Sequence, residues 1–469
     1  MRAKITRKIW TAVLLLAVTC TGCAKNTQDD ALAAVEQQDT QEGAVTDTEE
    51  IEPPIEDLDE AYEMILNQCN KEFIGGYHVD ENFLSWIYAN YEKETVLELA
   101  NEVQSGEQDV NRWYELTGNS IHVLWLMYCQ DTGLQSYTLD NVYWKECAQE
   151  DKIVLDFTGD FNFAEGWPTT EYMKTQPDGI YDCFSGDLLQ EMNDADIMVM
   201  NNEFTYSDGG EPLAGKAYTF RADPRDAYLL NVFGADVVSL ANNHAYDYGP
   251  DALVDTMETL EEVGIPYMGA GRNLEEAKKP VYFVANGRKI AIVSATQIER
   301  STNYTKEATE TEPGVLKTLN PDKYVEVIEK ARENSDYVIA FVHWGTEHTE
   351  HYGADQVKLA EKFVDAGADV IIGGHTHCLQ GIQYMDGVPI IYSLGNFWFT
   401  ASTIDTGMSQ VIIKEDGSID FRFIPCIQSE LKTSLVTDTV DKERIFSYME
   451  SISAGISIDE DGYVTDLPE

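Results

Sequence analysis

The sequence predicts an α/β fold preceded by a small all-α region, and three features predict it. From Lys152 onward, short apolar runs alternate with amphipathic stretches, as strands and helices taken in turn do. Several of those runs end in Gly, Asn or His, the residues expected where the carboxyl ends of strands open onto a crevice. Before Lys152, from about residue 57 to 150, Phe83, Trp86, Ile87, Tyr91, Val96, Leu97 and Ala100 recur three and four residues apart, which is helical spacing.

Taken in order, the chain opens on Arg2, Lys4, Arg7 and Lys8, then an apolar run from Ile9 to Val18, then Thr21-Gly22-Cys23. A run this short is an export signal and not a spanning helix. It resembles a bacterial lipoprotein signal, with residues 1–23 as signal peptide and Cys23 as the lipidated residue, although Cys20 stands where a leucine is usual. The resemblance implies a cell-membrane protein, lipid-anchored and facing outside. Residues 24–56 are acidic, carry Lys25 as their only base and contain Pro53-Pro54; they cannot bury a core and read as a disordered linker. In the helical region, 57–150, a helix through Ile121 to Cys129 is capped by Thr117-Gly-Asn-Ser120. Ser120 and His122 are no nucleophile pair, because residues two apart on a helix point apart and no acidic orienter is evident.

The domain from 151 to 455 follows. Its expected strands are Ile153 to Thr158, Ile197 to Asn201, Asp236 to Leu240, Lys289 to Ala295, Tyr337 to Val342, Val370 to Ile372 and Pro389 to Ser393. Helices carry Leu253, Met257, Leu260 and Val263, and then Val357, Ala360, Phe363 and Val364. After Gly407, stricter alternation at Val411 to Ile413 and Phe421 to Phe423 suggests antiparallel strands. A helix from about Asp441 to Ser451 closes the domain, and 456–469 reads as a tail.

The chain has 469 residues and 43% apolar content, enough for a full-sized core. Its 32 basic and 83 acidic residues leave a net charge of −51, which excludes nucleic acid and anionic lipid as partners of the folded body. None of the eight cysteines has zinc-knuckle spacing. Most read as small buried apolar residues, with disulfide pairing left open.

The candidate site centres on Asp369-Val-Ile-Ile-Gly-Gly-His-Thr-His377, an apolar strand that stops at two glycines and presents two imidazoles. Alone, that could be a polar loop. Of eight histidines, however, His244, His343, His348, His351, His375 and His377 cluster after strand-like runs. Carboxylates end two further strands, at Asp160 and Glu203. Carboxylate oxygen with imidazole suits one or two divalent ions of manganese, iron or zinc. His348 and His351, beside Glu347 and Glu350, read as a solvated turn before they read as an outer ligand pair.

Gly159-Asp160, Asn201-Asn-Glu203, Phe220-Arg221, Ser239-Leu-Ala-Asn-Asn-His-Ala-Tyr-Asp-Tyr-Gly249, Gly269-Ala-Gly271, His343-Trp-Gly-Thr-Glu347, Gly374-His-Thr-His377 and Ser393-Leu-Gly-Asn-Phe397 resemble the CapA, or poly-gamma-glutamate capsule synthesis, family. The likeness runs from about 152 to 430. It implies a layered α/β sandwich of the metallophosphoesterase kind, with poly-gamma-glutamate and membrane-bound capsule synthesis proteins as partners. By the same resemblance Asp160 and His377 hold one metal, Glu203 bridges, and Asn243, His343 and His375 hold the second, with His244 as the catalytic histidine. The chain departs from the phosphoesterase pattern at Asp160-Phe-Asn162, where Asp-x-His is usual. The resemblance leaves three functions open: a capsule accessory, an extracytoplasmic metal-dependent phosphoesterase unrelated to capsule, and a metal-free polymer-binding module.

Overall fold

In each of two sheets, the central strands run parallel and bury both faces, which is why they read as near-continuous apolar runs. The computed structural model describes residues 56–57, 60–61, 81–91, 93–105, 111–134, 139–300 and 303–467. The expected signal peptide, its Cys23 and nearly all of the acidic linker lie outside the described residues.

The first sheet runs, edge to edge, Val142–Lys145, Val281–Ala285, Arg288–Thr296, Tyr337–His343, Val370–Gly374, Val388–Leu394 and Leu379–Met385. The second runs Lys432–Leu435, Ile419–Ser429, Ile404–Lys414, Lys152–Phe161, Ile197–Asn202, Ala235–Ser239 and Tyr267–Met268, with Asn396–Trp398 lying parallel to the end of Lys152–Phe161. Ile153, Leu155, Phe157 and Val199 of the second sheet pack against Phe283, Ile292, Ile339 and Phe341 of the first, so the two sheets face each other across one core. The outer face of the first is covered by the helices Asp322–Glu333 and Ala354–Asp365. The outer face of the second is covered by Gly186–Asp194, Gly249–Val263 and the 3₁₀ turn Pro224–Phe233. The result is a four-layer α/β sandwich.

The helices Glu81–Asn90, Lys93–Ser105, Arg112–Thr117 and Ile121–Thr132 precede it. The last is apolar on two sides because it is covered on two sides. Leu124 and Tyr128 join Phe83, Ile87 and Trp113, while Val123 and Leu126 meet Val284 of the sheet. Ser120 is its N-cap, accepting from the Val123 amide. The Ser120 hydroxyl donates to Asp336 at 2.5 Å, and not to His122, so the two residues serve helix docking and form no nucleophile pair.

Two boundaries differ from expectation. Val142–Lys145 lies inside the region expected to be helical, yet it adds an edge strand parallel to Val281–Ala285. Tyr143 and Trp144 of that strand are exposed, so no alternation marks it. The expected tail is a hairpin, Ile456–Ile458 with Val464–Asp466, and its Ile456 and Val464 enter the inter-sheet core. Cys129, Cys147, Cys183, Cys378 and Cys426 are all free thiols, and three of them are buried.

Asp156, fully buried on the strand Lys152–Phe161, is pushed up to about 8 by burial, with Gln410 offsetting part of the cost. The folded state therefore holds this proton between about pH 4 and 8 while the unfolded chain releases it, so the side chain costs increasing stability as pH rises through that window. Asp156→Asn removes this dependence. Urea unfolding of the variant should gain on the native chain by a few kcal/mol in order of magnitude between pH 5 and pH 8, and a constant difference would exclude a buried neutral carboxyl here.

Candidate metal centre

The carboxyl ends of the parallel strands from both sheets open at the same end of the sandwich, and the polar residues that follow them meet there. Asp160 and Glu203 come from the second sheet, Asn242, Asn243 and His244 from the loop after Ala235–Ser239, and His343, His375 and His377 from the first sheet. All of these except His377, which is part-buried, are buried. Backbone geometry helps: His375 and His377 have φ of +96° and +58°, conformations that cost energy for a side-chain-bearing residue and are found at sites where the surroundings enforce them. A Cβ on Gly374 would lie 3.2 Å from Asp160 Oδ1, so the glycine lets the histidine loop close over the carboxylate.

Two groups of ligand atoms result. Glu203, His343 and His375 form one, Asp160, Glu203 and His377 the other, each with its atoms within 4.8 Å of one another. Glu203 belongs to both. His343 Nε2 lies 2.8 Å from Asn243 Oδ1, 3.1 Å from His375 Nδ1 and 3.4 Å from Glu203 Oε1. One imidazole proton cannot satisfy that many converging lone pairs, whereas a cation can. Asp160 Oδ2 and both Glu203 oxygens are buried without a hydrogen-bond donor, which is costly unless a positive charge faces them. The residues present therefore fit a divalent ion.

Surrounding groups orient these side chains, as is usual around metal-ligating histidines. Asn201 donates to Asp160 Oδ1 at 2.6 Å and is held by Asn242 at 3.2 Å. His377 Nδ1 lies 2.7 Å from Asn396 Oδ1, which leaves Nε2 as the ring's lone pair. His244 Nδ1 lies 2.7 Å from Asp247 Oδ2, and its Nε2 faces Glu203 Oε1 at 4.0 Å. Asp247 also takes Lys216 at 2.5 Å and the Phe220 amide at 2.7 Å. Lys216 and Thr305 both donate to the Asn243 carbonyl, fixing the residue whose amide meets His343.

Burial pushes Asp160 up to about 7, with Glu203 adding to the rise, and it raises Glu203 as well. Burial lowers His343 to about 4 and takes His375 well below the usual imidazole range. For His377 burial opposes the charge, but Glu203, Asp160 and Asn396 together outweigh it and raise the value. Both carboxylates thus resist charging, and a cation would reverse that penalty.

The structure brings together every residue assigned by resemblance: Asp160, Glu203, Asn243, His244, His343, His375 and His377. His348 and His351 are exposed and belong to neither group of ligand atoms among the described residues. The His348 ring does lie 5.8 Å from that of His377. Asn162, where a histidine is usual, instead accepts from the Ala164 amide at 2.8 Å and shapes the turn after the strand. Asn201, Asn242, Asp247 and Asn396 stand inside the quoted motifs, yet the sequence alone assigns them no role.

Residues 154–401 match the family described as Bacterial capsule synthesis protein PGA_cap. That is just over half of the chain, and the chain belongs to this family. The Capsule biosynthesis protein CapA of Bacillus anthracis is 36% identical over 221 residues, covering 45% of this chain and 53% of that protein. The PGA biosynthesis protein CapA of Bacillus subtilis is 33% identical over 216 residues, covering 45% of this chain and 56% of its own. The chain thus spans about half the length of the curated relatives it matches. A 5'-nucleotidase from Candida albicans overlaps 60% of this chain and 52% of its own at TM-score 0.31 and 11% identity, too little to bear on fold or chemistry.

Because Asp160 keeps its proton up to about pH 7, a cation must displace that proton below pH 7, and affinity falls toward about tenfold per pH unit there. Manganese titrations by calorimetry should show tighter binding at pH 8 than at pH 6. Glu203→Ala should abolish binding, since both groups of ligand atoms use it, while His377→Ala should spare the group built on His343 and His375. Equal affinity at the two pH values, or full stoichiometry in Glu203→Ala, would contradict this assignment.

Proposed function

We propose that this chain is a surface-anchored component of poly-gamma-glutamate capsule synthesis, export or retention, carrying a divalent-metal centre in its sandwich domain. Family membership supports the capsule setting, and the names of the two Bacillus relatives point the same way. The observation that carries the metal centre is the buried Glu203 carboxylate, shared by two groups of ligand atoms and with neither oxygen in a hydrogen bond. The same observation disfavours a metal-free polymer-binding module, because three buried carboxylate oxygens without a hydrogen bond would then be a standing cost. Anchoring rests on the basic, apolar and cysteine pattern ending at Cys23. Among the described residues no helix is long and apolar enough to cross a membrane. Membrane-bound capsule synthesis proteins would be its neighbours.

The second reading is a metal-dependent phosphoesterase acting outside the cytoplasm, and the placement of His244 favours it. Asp160, Glu203 and His377 on one side, and Glu203, Asn243, His343 and His375 on the other, would hold one or two ions of manganese, iron or zinc. Bound there, such ions supply Lewis-acid polarisation of a phosphoryl or carbonyl oxygen. His244, oriented by Asp247, keeps Nε2 turned toward the shared carboxylate and is placed to hand a proton to a leaving oxygen. Lys216 forms an ion pair with Asp247 behind that imidazole. The same constellation serves a phosphoester or an amide, so hydrolysis of the polymer itself is compatible with it.

Expression in a Bacillus subtilis strain lacking its own CapA tests the capsule reading. The native chain should restore secreted polyglutamate, and Glu203→Ala and His375→Ala at equal protein level should not. Manganese-dependent turnover of bis-p-nitrophenyl phosphate without any restoration would favour the second reading instead.

A further inference from the structure

Between the helix Pro168–Thr175 and the 3₁₀ turns Gly179–Cys183 and Pro224–Phe233 lies an open cavity of about 570 Å³ that shares no residue with the metal centre. Its floor is apolar: Met173, Ile180 and Leu229 line it and are otherwise packed into the core behind the second sheet. Each 3₁₀ turn adds one aromatic ring to the walls. Tyr181 and Tyr228 are 59% and 58% exposed, although both stand beside an apolar floor on which they could have been buried. Exposed aromatic surface gathered around one cavity points to a guest that covers it.

The polar groups of the lining select that guest. Two of the donors are already spent: Lys174 is paired with Glu171 at 3.0 Å, and the Gln176 amide donates to the Tyr172 carbonyl at 3.3 Å and to Thr175 Oγ1 at 2.9 Å. Asp178 and Asp226 also line the cavity, and among the described residues neither carboxylate takes a hydrogen bond or an ion pair. The neighbouring base, Arg225, is committed to Asp223. Asp226 is part-buried, and burial, with Asp223 adding to it, holds its carboxyl above the usual carboxylate range, while Lys174 and Arg225 offset only part of the rise. An anion would be repelled here. A cation bearing N–H donors would satisfy Asp226 and lie against the tyrosine faces, whose quadrupoles attract positive charge.

We infer that this cavity is a docking site for a lysine side chain of a basic polypeptide, with the aliphatic stem on Met173, Ile180 and Leu229 and the ammonium held by Asp226 between Tyr181 and Tyr228. A long apolar stem that ends in a charge matches a floor of carbon beside a carboxylate. The volume is that of a drug-sized ligand, more than one small amine fills, which leaves room for the peptide on either side of the lysine. The net charge of −51 draws basic partners toward the chain as a whole, and the cavity gives one of their side chains a defined seat. The site is independent of the metal centre and of the function proposed for it.

Titration of the full chain with the peptide acetyl-Gly-Ala-Lys-Ala-Gly-amide, followed by saturation-transfer NMR, tests this against the same peptide carrying norleucine in place of lysine and against butylammonium. The lysine peptide should bind about 5-fold or more tightly than either control. Tyr181→Ala and Tyr228→Ala should each weaken it about 2- to 5-fold, the range of an exposed contact between a cation and a ring. Asp226→Asn should weaken it at least as much, and Tyr228→Phe should keep it. Equal binding of the lysine and norleucine peptides, or lysine-peptide binding that is unchanged in both Tyr228→Ala and Asp226→Asn, overturns the site. Butylammonium binding as tightly as the lysine peptide overturns the polypeptide partner in favour of a free amine, and failure of all three probes to bind overturns the site altogether.

Discussion

The structure turns on one buried carboxylate. Glu203 sits at the end of a parallel strand with both oxygens out of water and neither in a hydrogen bond, a state that folding does not tolerate without compensation. Its neighbours make matters worse in the absence of a cation, since Asp160 is a second buried acid and His343 and His375 are driven toward their neutral forms. Everything around it answers that imbalance. Asn201, Asn242 and Asn396 hold the ligands in place from behind, and Asp247 with Lys216 does the same for His244.

The four-layer sandwich explains how such a cluster is assembled. Neither sheet alone could supply it: the carboxylates come from one, and His343, His375 and His377 from the other. Packing the two sheets face to face through Leu155, Phe157, Ile339 and Phe341 fixes the distance between the two sets of strand ends. Gly159 then admits the Gly395 carbonyl, which a Cβ there would meet at 2.0 Å, and this contact carries Asn396 to His377. A core with rigid strands thus positions side chains that local sequence could not hold together.

Much of this was legible in the sequence, for physical reasons. Strands buried on both faces announce themselves as apolar runs, and the polar residues that break those runs at Asp160, Glu203, His343 and His375 are the ones that line the site. What escaped was of two kinds. Val281–Ala285 and Leu379–Met385 were missed as strands, although Asn286-Gly287 and Asp386-Gly387 follow them with positive φ at both residues of each pair, the hairpin turns such dipeptides prefer. The hairpin at 456–466 was also missed, although Asp461-Gly462 stands in its turn with Gly462 at φ +91°; the edge strand Val142–Lys145 carries no such signal, because its place is set by a partner far away in the chain. The supporting residues Asn201, Asp247 and Asn396 could be seen as motif members, but an orienting role needs distances, and only the fold supplies those.

The most direct measurement is anomalous diffraction at the manganese edge from crystals of the chain grown with manganese. The expected result is one or two peaks within bonding distance of the Glu203 carboxylate, one toward His343 and His375 and any second toward Asp160 and His377. Manganese peaks confined to the acidic surface, with Glu203 and the three histidines bare, would contradict a shared cation pocket at the top of the sandwich.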